Sequence, residues 1–123
     1  MKKLLVYLFI ISCVFADNWR DLNELHKDLK EADLDHHQEK EVKELFKEYH
    51  HELKEWWHEN EKIDALAMRS FNKKDFDTKE IEIKMKMITD KKIKIDLKFL
   101  KDLHVILNDE QRSKISKEYS EID

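Results

Sequence analysis

Hydrophobic residues between positions 42 and 57 recur with the spacing of an α-helix. Most follow one another at alternating steps of four and three, which places them along one side of a helix. The residues of this stripe are Val42, Leu45, Phe46, Tyr49, Leu53, Trp56 and Trp57. The periodicity weakens over residues 58–61, so the sequence predicts a bend or break of the helix there.

A second apolar segment contains two runs that alternate between hydrophobic and polar side chains. The apolar positions of these runs are Ile81, Ile83, Met85 and Met87 in the first, and Ile93, Ile95, Leu97 and Phe99 in the second. Alone, this pattern fits a β-hairpin that turns at residues 89–92. However, those residues include neither the glycine nor the asparagine that tight hairpin turns favour. The intervening lysines and glutamates are good helix formers and poor strand formers, so we predict a helix.

A helix with this pattern carries apolar side chains on two sides. One stripe consists of Met85, Ile88, Ile95, Phe99, Leu103 and Ile106, and a second group consists of Ile83, Met87, Ile93, Leu97 and Leu100. In one interpretation, one side packs in the monomer core and the other against a partner subunit. In the other, one side stays open and binds unfolded chains, for which flexible methionines are well suited.

Helix starts are marked by short acceptor side chains at N-cap positions. Asn18, Asp35, Asp77 and Asn108 are the four candidates, and the last three have Glu or Gln three residues later. Phe76 and Ile81 are spaced as a hydrophobic staple around the third cap, and residues 70–77 form the predicted loop before it. The sequence therefore predicts an all-α fold of about four helices.

Composition supports this fold class and excludes several functions. The 123 residues contain neither glycine nor proline, and 42% are charged. Without glycine, phosphate-binding Gly-rich loops, dinucleotide fingerprints and nucleophile elbows are excluded. Folds of many short strands also need both residues at their turns. No arrangement of Ser, His and Asp has a loop to hold it, so we expect no enzymatic activity.

The first sixteen residues have the three regions of a signal peptide. Met1-Lys2-Lys3 is basic, residues 4–15 are mostly apolar, and Val14 and Ala16 fit the −3 and −1 positions of a cleavage site before Asp17. We therefore predict a signal peptide at 1–16 and a helical domain at 17–123. Ile10-Ile11-Ser12-Cys13 also fits a lipobox, and lipidation of Cys13 would tether the chain to a membrane.

Charge is negative overall and unevenly distributed. The predicted secreted chain has 22 basic and 28 acidic residues, a net charge of −6, which argues against nucleic acid as a partner. Residues 17–64 carry eight basic and sixteen acidic side chains, whereas residues 73–101 carry ten and six. The two segments could attract each other as packed helices, or the positive segment could face binding partners.

Two short motifs share one form and carry a family resemblance. Leu34-Asp35-His36-His37-Gln38 and Leu107-Asn108-Asp109-Glu110-Gln111 each resemble the LTxxQ motif of the Spy/CpxP family of periplasmic proteins. Asp35 and Asn108 stand where the family has threonine, but both still cap a helix. The resemblance covers about residues 30–120 and includes secretion.

The resemblance implies a hairpin-like helical chain that forms a cradle-shaped homodimer in the periplasm. Family members act as chaperones without ATP, as partners that restrain an envelope sensor kinase, or as metal-responsive proteins. For the chaperone function, the expected partners are unfolded or misfolded envelope proteins, and no cofactor is required. The expected client-binding residues are Ile83, Lys84, Met85, Lys86, Met87, Lys94, Leu97 and Lys98. The motif residues Leu34, Asp35, Gln38, Leu107, Asn108 and Gln111 are expected to be structural.

One row of polar side chains has the spacing of metal ligands on a helix. Glu48, His51, Glu55 and His58 follow one another at steps of three and four and could bind zinc or copper. We favour the simpler interpretation of a solvated polar face, because no His-x-x-x-His pair or cysteine completes the site. Trp19, Trp56 and Trp57 are expected in the core or an interface, but an exposed Trp57 would belong to the client-binding surface.

Overall fold

A computed structural model describes residues 19–120 and shows four helices. They are α1 (Leu22–Lys30), α2 (His36–Phe71), α3 (Lys79–Ile106) and α4 (Asp109–Ser120). The described residues contain no strand, so the predictions of an all-α fold and of a helix over residues 81–99 are confirmed. The predicted signal peptide and the Asn18 cap lie outside the described residues. None of the described helices has the length and apolarity needed to cross a bilayer.

The helix starts largely follow the predicted caps. Asp35 and Asn108 cap α2 and α4 as expected. For α1, Asp21 is the cap, and its carboxylate accepts hydrogen bonds from the backbone of Asn23 and Glu24. Before α3, Asp77 accepts from the backbone N–H of Lys79, and the helix begins one residue later than predicted.

The chain divides into two compact units. Unit 1 combines the residues up to Glu41 with those from His104 onward, and unit 2 is Val42–Leu103. In unit 1, Leu25, Leu29, Ala32, Leu107 and Gln111 are buried. Also in this unit, the hydroxyl of Tyr119 donates a hydrogen bond to the carboxylate of Asp28. Burial and this hydrogen bond raise the pKa of Tyr119 well above its usual value.

The two motif glutamines hydrogen-bond to each other in unit 1. Gln38 Nε2 donates to Gln111 Oε1 at 2.7 Å, and Gln111 Nε2 donates to Gln38 Oε1 at 3.0 Å. Each glutamine also closes a reciprocal capping box, with Asp35 and Asn108 respectively. Gln111 Nε2 additionally reaches the carbonyl of Asp33, whose φ of 58° lies in the left-handed region that aspartate tolerates. The predicted structural role of the motif glutamines therefore has a direct geometric basis.

Replacing Gln111 by alanine is expected to cost about 2 kcal/mol of unfolding free energy, because buried polar groups lose their partners. Urea denaturation measures this loss, with the exposed Lys117→Ala on the same helix as control. A cycle with Gln38→Ala should show coupling, since the two amides bond directly. A loss below about 0.5 kcal/mol for Gln111→Ala would show that the pair contributes little.

Unit 2 is an antiparallel hairpin of the long segments of α2 and α3. Its buried residues are Val42, Leu45, Tyr49, Ile81, Ile88, Ile95, Asp96, Phe99 and Leu103. The ring of Tyr49 stacks on that of Phe99 with centroids 4.2 Å apart, and its hydroxyl donates to Asp96 Oδ1 at 2.6 Å. Lys92 Nζ contacts both carboxylate oxygens of Asp96, so this buried charge is neutralised from its own helix.

The predicted break at residues 58–61 is wrong, because α2 is continuous from His36 to Phe71. Contacts to α3 just before this stretch and within it support the helix. Trp56 Nε1 donates to the carbonyl of Ile88 at 2.7 Å, and Glu59 pairs with Lys91 at 2.6 Å. A weakened apolar pattern does not break a helix that contains no glycine or proline, since kinks need a specific local cause.

Candidate functional site

The solvent-exposed side of α3 carries a row of hydrophobic residues. Ile83, Met87, Ile93 and Leu97 are 58%, 66%, 50% and 59% exposed. We call these four residues the outer apolar row. On the same helix Ile88 and Ile95 are only 6% and 7% exposed, so α3 has one buried and one open apolar side in unit 2.

This two-sided character follows from the alternating sequence. Successive residues of an α-helix are about 100° apart, so residues two positions apart lie about 200° apart, on nearly opposite sides. Ile81 and Ile83 show the result, because the first is 6% exposed and the second 58%. Alternation that a strand would place on one face is therefore divided by the helix between the core and the solvent.

Lysines lie among the residues of the outer apolar row. Lys86 is 3.8 Å from Glu82, and Lys84 is 3.6 Å from Glu80, both as exposed pairs within α3. Such pairs contribute little and exchange readily with solvent. Lys94 and Lys101 are exposed and form no ion pair with any residue of the described chain. The outer side of α3 therefore carries positive charge available to a partner.

Lys98, one of the expected client-binding residues, instead bridges to α2. Its Nζ lies 2.5 Å from Glu48 and 3.5 Å from Glu52. The hydrogen bond that Lys98 donates to Glu48, followed by the negative charge of Glu52, raises the pKa of Lys98 above its usual value. Sequence analysis could not identify this pairing, because it depends on the register of the two helices.

The two methionines expected to bind clients lie at different places. Met85 lines a cleft of about 550 Å³, together with Ala67, Phe76 and Ile81. The predicted staple residues, Phe76 and Ile81, thus line the same cleft. Met87 belongs to the outer apolar row and also lines a second cleft, of about 450 Å³, with Ile63 and Ile88.

Trp57 is exposed, whereas its neighbour Trp56 is held in the hairpin. Trp57 is 56% exposed, and its ring meets that of Trp56 edge to face at 5.3 Å. The indole of Trp56 donates to α3, as described above, and Lys92 Nζ lies 5.8 Å from its ring centroid. Because Trp57 is exposed, we add it to the candidate client-binding residues of unit 2.

Side chains of the polar row on α2 pair with each other and with α3. Glu48 pairs with Lys98, and His51 Nε2 lies 2.8 Å from Glu55. His58 is exposed. Within residues 19–120 no group of three or more His, Cys, Asp or Glu side chains is arranged to hold a metal ion.

Two features of unit 2 were not predicted from the sequence. Asp96 is buried, although the alternating pattern suggests only that it is one of several polar positions. A signal was present, since Asp96 follows Lys92 by four residues and lies beside Ile95 and Phe99 in the core phase of the helix. Met68 and Phe71 are exposed near the turn between α2 and α3.

Comparisons of the chain with protein-family models, with characterised proteins and with solved structures return no match. The resemblance to the Spy/CpxP family therefore depends on the two motifs and on the order of elements along the chain. The outer apolar row and its lysines are the surface feature with the clearest binding chemistry.

Proposed function

We propose that this protein is a periplasmic chaperone of the Spy/CpxP type that binds non-native envelope proteins without ATP. The observation that carries the proposal is the outer apolar row, whose four residues are all at least half exposed on a helix that buries its other side. Single exposed hydrophobic residues are common on folded proteins. A row of them along one helix, with lysines between, is typical of an interaction surface.

The dimensions of the row suit an extended segment of an unfolded chain. Ile83 and Leu97 are fourteen positions apart in α3, which corresponds to about 21 Å along the helix axis. An extended chain covers that length with about six or seven residues. A non-native segment with a few hydrophobic side chains can therefore contact the whole row at once.

The chemistry of the row favours weak, reversible binding. Burying four partly exposed side chains contributes a few kcal/mol, and association costs offset much of that gain. Lys86, Lys94 and Lys101 add long-range attraction for acidic segments, which raises the association rate more than the affinity. Binding at about micromolar strength allows clients to be released without nucleotide hydrolysis.

Aggregation of a chemically denatured client, followed by light scattering in the absence of nucleotide, tests the proposal. We expect the protein to suppress most aggregation at a few-fold molar excess over the client. No suppression at a several-fold excess would contradict the proposed function. Clients of high and low negative charge should be compared, because the lysines predict better suppression for the more acidic one.

A second copy of this chain is the competing occupant of the outer apolar row. Solution mass distinguishes the two, when it is measured for the wild type and for a variant with all four row residues replaced by glutamine. We expect the two masses to agree, since the row binds clients. A variant that falls from dimer to monomer would assign the row to a subunit interface instead.

A further inference from the structure

The turn between α2 and α3 carries large apolar side chains that unit 2 leaves exposed. Met68, Phe71 and Phe76 are 63%, 65% and 49% exposed. The two phenylalanine rings meet edge to face, with centroids 5.8 Å apart. Every residue from 71 to 80 is exposed. We call residues 68–79 the hairpin tip.

The hairpin tip is positively charged, although the chain as a whole is negative. It contains four basic residues, Arg69, Lys73, Lys74 and Lys79, and two acidic ones, Asp75 and Asp77, whereas the full chain carries a net charge of −4. None of the four basic side chains forms an ion pair within residues 19–120. The Asp77 carboxylate is engaged by the backbone N–H of Lys79. Cationic groups available to a partner thus lie in the same short segment as the exposed rings.

We propose that the hairpin tip docks on the surface of an anionic phospholipid bilayer. Phe71, Phe76 and Met68 would enter the boundary between headgroups and acyl chains, while Lys73 and Lys74 contact lipid phosphates. Lysine stems can lie along apolar surface with their ammonium groups in water, so both kinds of contact fit one short turn. This inference does not depend on the proposed chaperone function.

The size and charge of the tip favour a lipid surface over a protein partner. Its three apolar side chains expose roughly 350 Å² together, if each large side chain presents about 200 Å² when fully exposed. A stable protein interface needs about 800 Å² from each partner. A bilayer requires no shape complementarity, and the negative surface of an anionic bilayer attracts basic residues that lie close to it.

Flotation with phospholipid vesicles tests the proposal. The protein is produced in a bacterial host that secretes it, and the secreted form is purified. It is then mixed with vesicles of pure phosphatidylcholine or with vesicles in which about one-third of the lipid is phosphatidylglycerol. We expect binding to the anionic vesicles only, and at least five-fold weaker binding near 0.5 M salt, because the Debye length shortens. Equal binding to both vesicle types, or no binding to either, would overturn the proposal.

Matched variants assign the binding to the tip. Phe71→Ser with Phe76→Ser, and separately Lys73→Glu with Lys74→Glu, should each reduce the partition coefficient at least five-fold. Val105→Ser, which removes a 77% exposed side chain from unit 1, and Lys47→Glu with Lys54→Glu, which makes the same charge change on α2, should stay within two-fold. Equal losses in test and control variants would overturn the proposal. So would tip variants that keep vesicle binding but lose binding to proteins.

Discussion

Replacing Ile83, Met87, Ile93 and Leu97 together by glutamine is expected to reduce suppression of client aggregation at least five-fold. These residues are half exposed or more, so the client loses its apolar contacts while the core of unit 2 is retained. Glutamine is also a good helix former, which keeps the propensity of α3 nearly unchanged. Light scattering with a denatured client measures the effect, and circular dichroism should show unchanged helix content.

The control for this variant removes exposed apolar residues at another place in unit 2. Glutamine at Met68, Phe71 and Phe76 deletes side chains of similar exposure from the hairpin tip. Suppression by this control is expected to stay within two-fold of the wild type. Equal losses in both variants would show that non-specific hydrophobic contacts, and not the outer apolar row, bind the client.

Phe99→Ala is expected to lower the free energy of unfolding by about 3–5 kcal/mol, the usual cost of removing a fully buried aromatic ring. Phe99 is 2% exposed, stacks on Tyr49 and meets the ring of Phe46 edge to face at 5.5 Å. Since small domains are stable by about 5–15 kcal/mol, this variant should lie close to global unfolding.

Urea denaturation of Phe99→Ala should be compared with that of Leu97→Ala, two positions earlier on the same helix. Leu97 is 59% exposed, so its truncation should cost less than about 1 kcal/mol. A loss below about 2 kcal/mol for Phe99→Ala would mean that the hairpin core is looser than the stacked rings indicate.

The helices of the fold could be predicted because local chemistry determines where they begin. Asp35 and Asn108 have the acceptor side chain and the glutamine three residues later that close a capping box. The division of α3 into one exposed and one buried apolar side could also be predicted, because residues two positions apart lie on nearly opposite sides of a helix. Both inferences require only the geometry of a single helix.

Contacts between helices were beyond the sequence, because they depend on register. Lys98 was expected to face a client, but the antiparallel pairing of α2 and α3 brings it to Glu48 and Glu52. The helical phase of Asp96 indicates a position near the core, but its hydrogen bond from the hydroxyl of Tyr49 depends on how the two helices pair. The expected break at residues 58–61 is absent, and the contacts of Trp56 and Glu59 with α3 that support this part of α2 also depend on register.

Methyl NMR of the isoleucines in α3, with and without a soluble non-native client, tests whether the outer apolar row binds the client. Ile83 and Ile93 belong to the outer apolar row, whereas Ile88 and Ile95 are buried on the opposite side of the same helix. Client binding to the row predicts shifted or broadened methyl signals for Ile83 and Ile93, with those of Ile88 and Ile95 nearly unchanged. Unchanged signals for Ile83 and Ile93 while the client is bound, or equal changes at all four isoleucines, would contradict client binding at the outer apolar row.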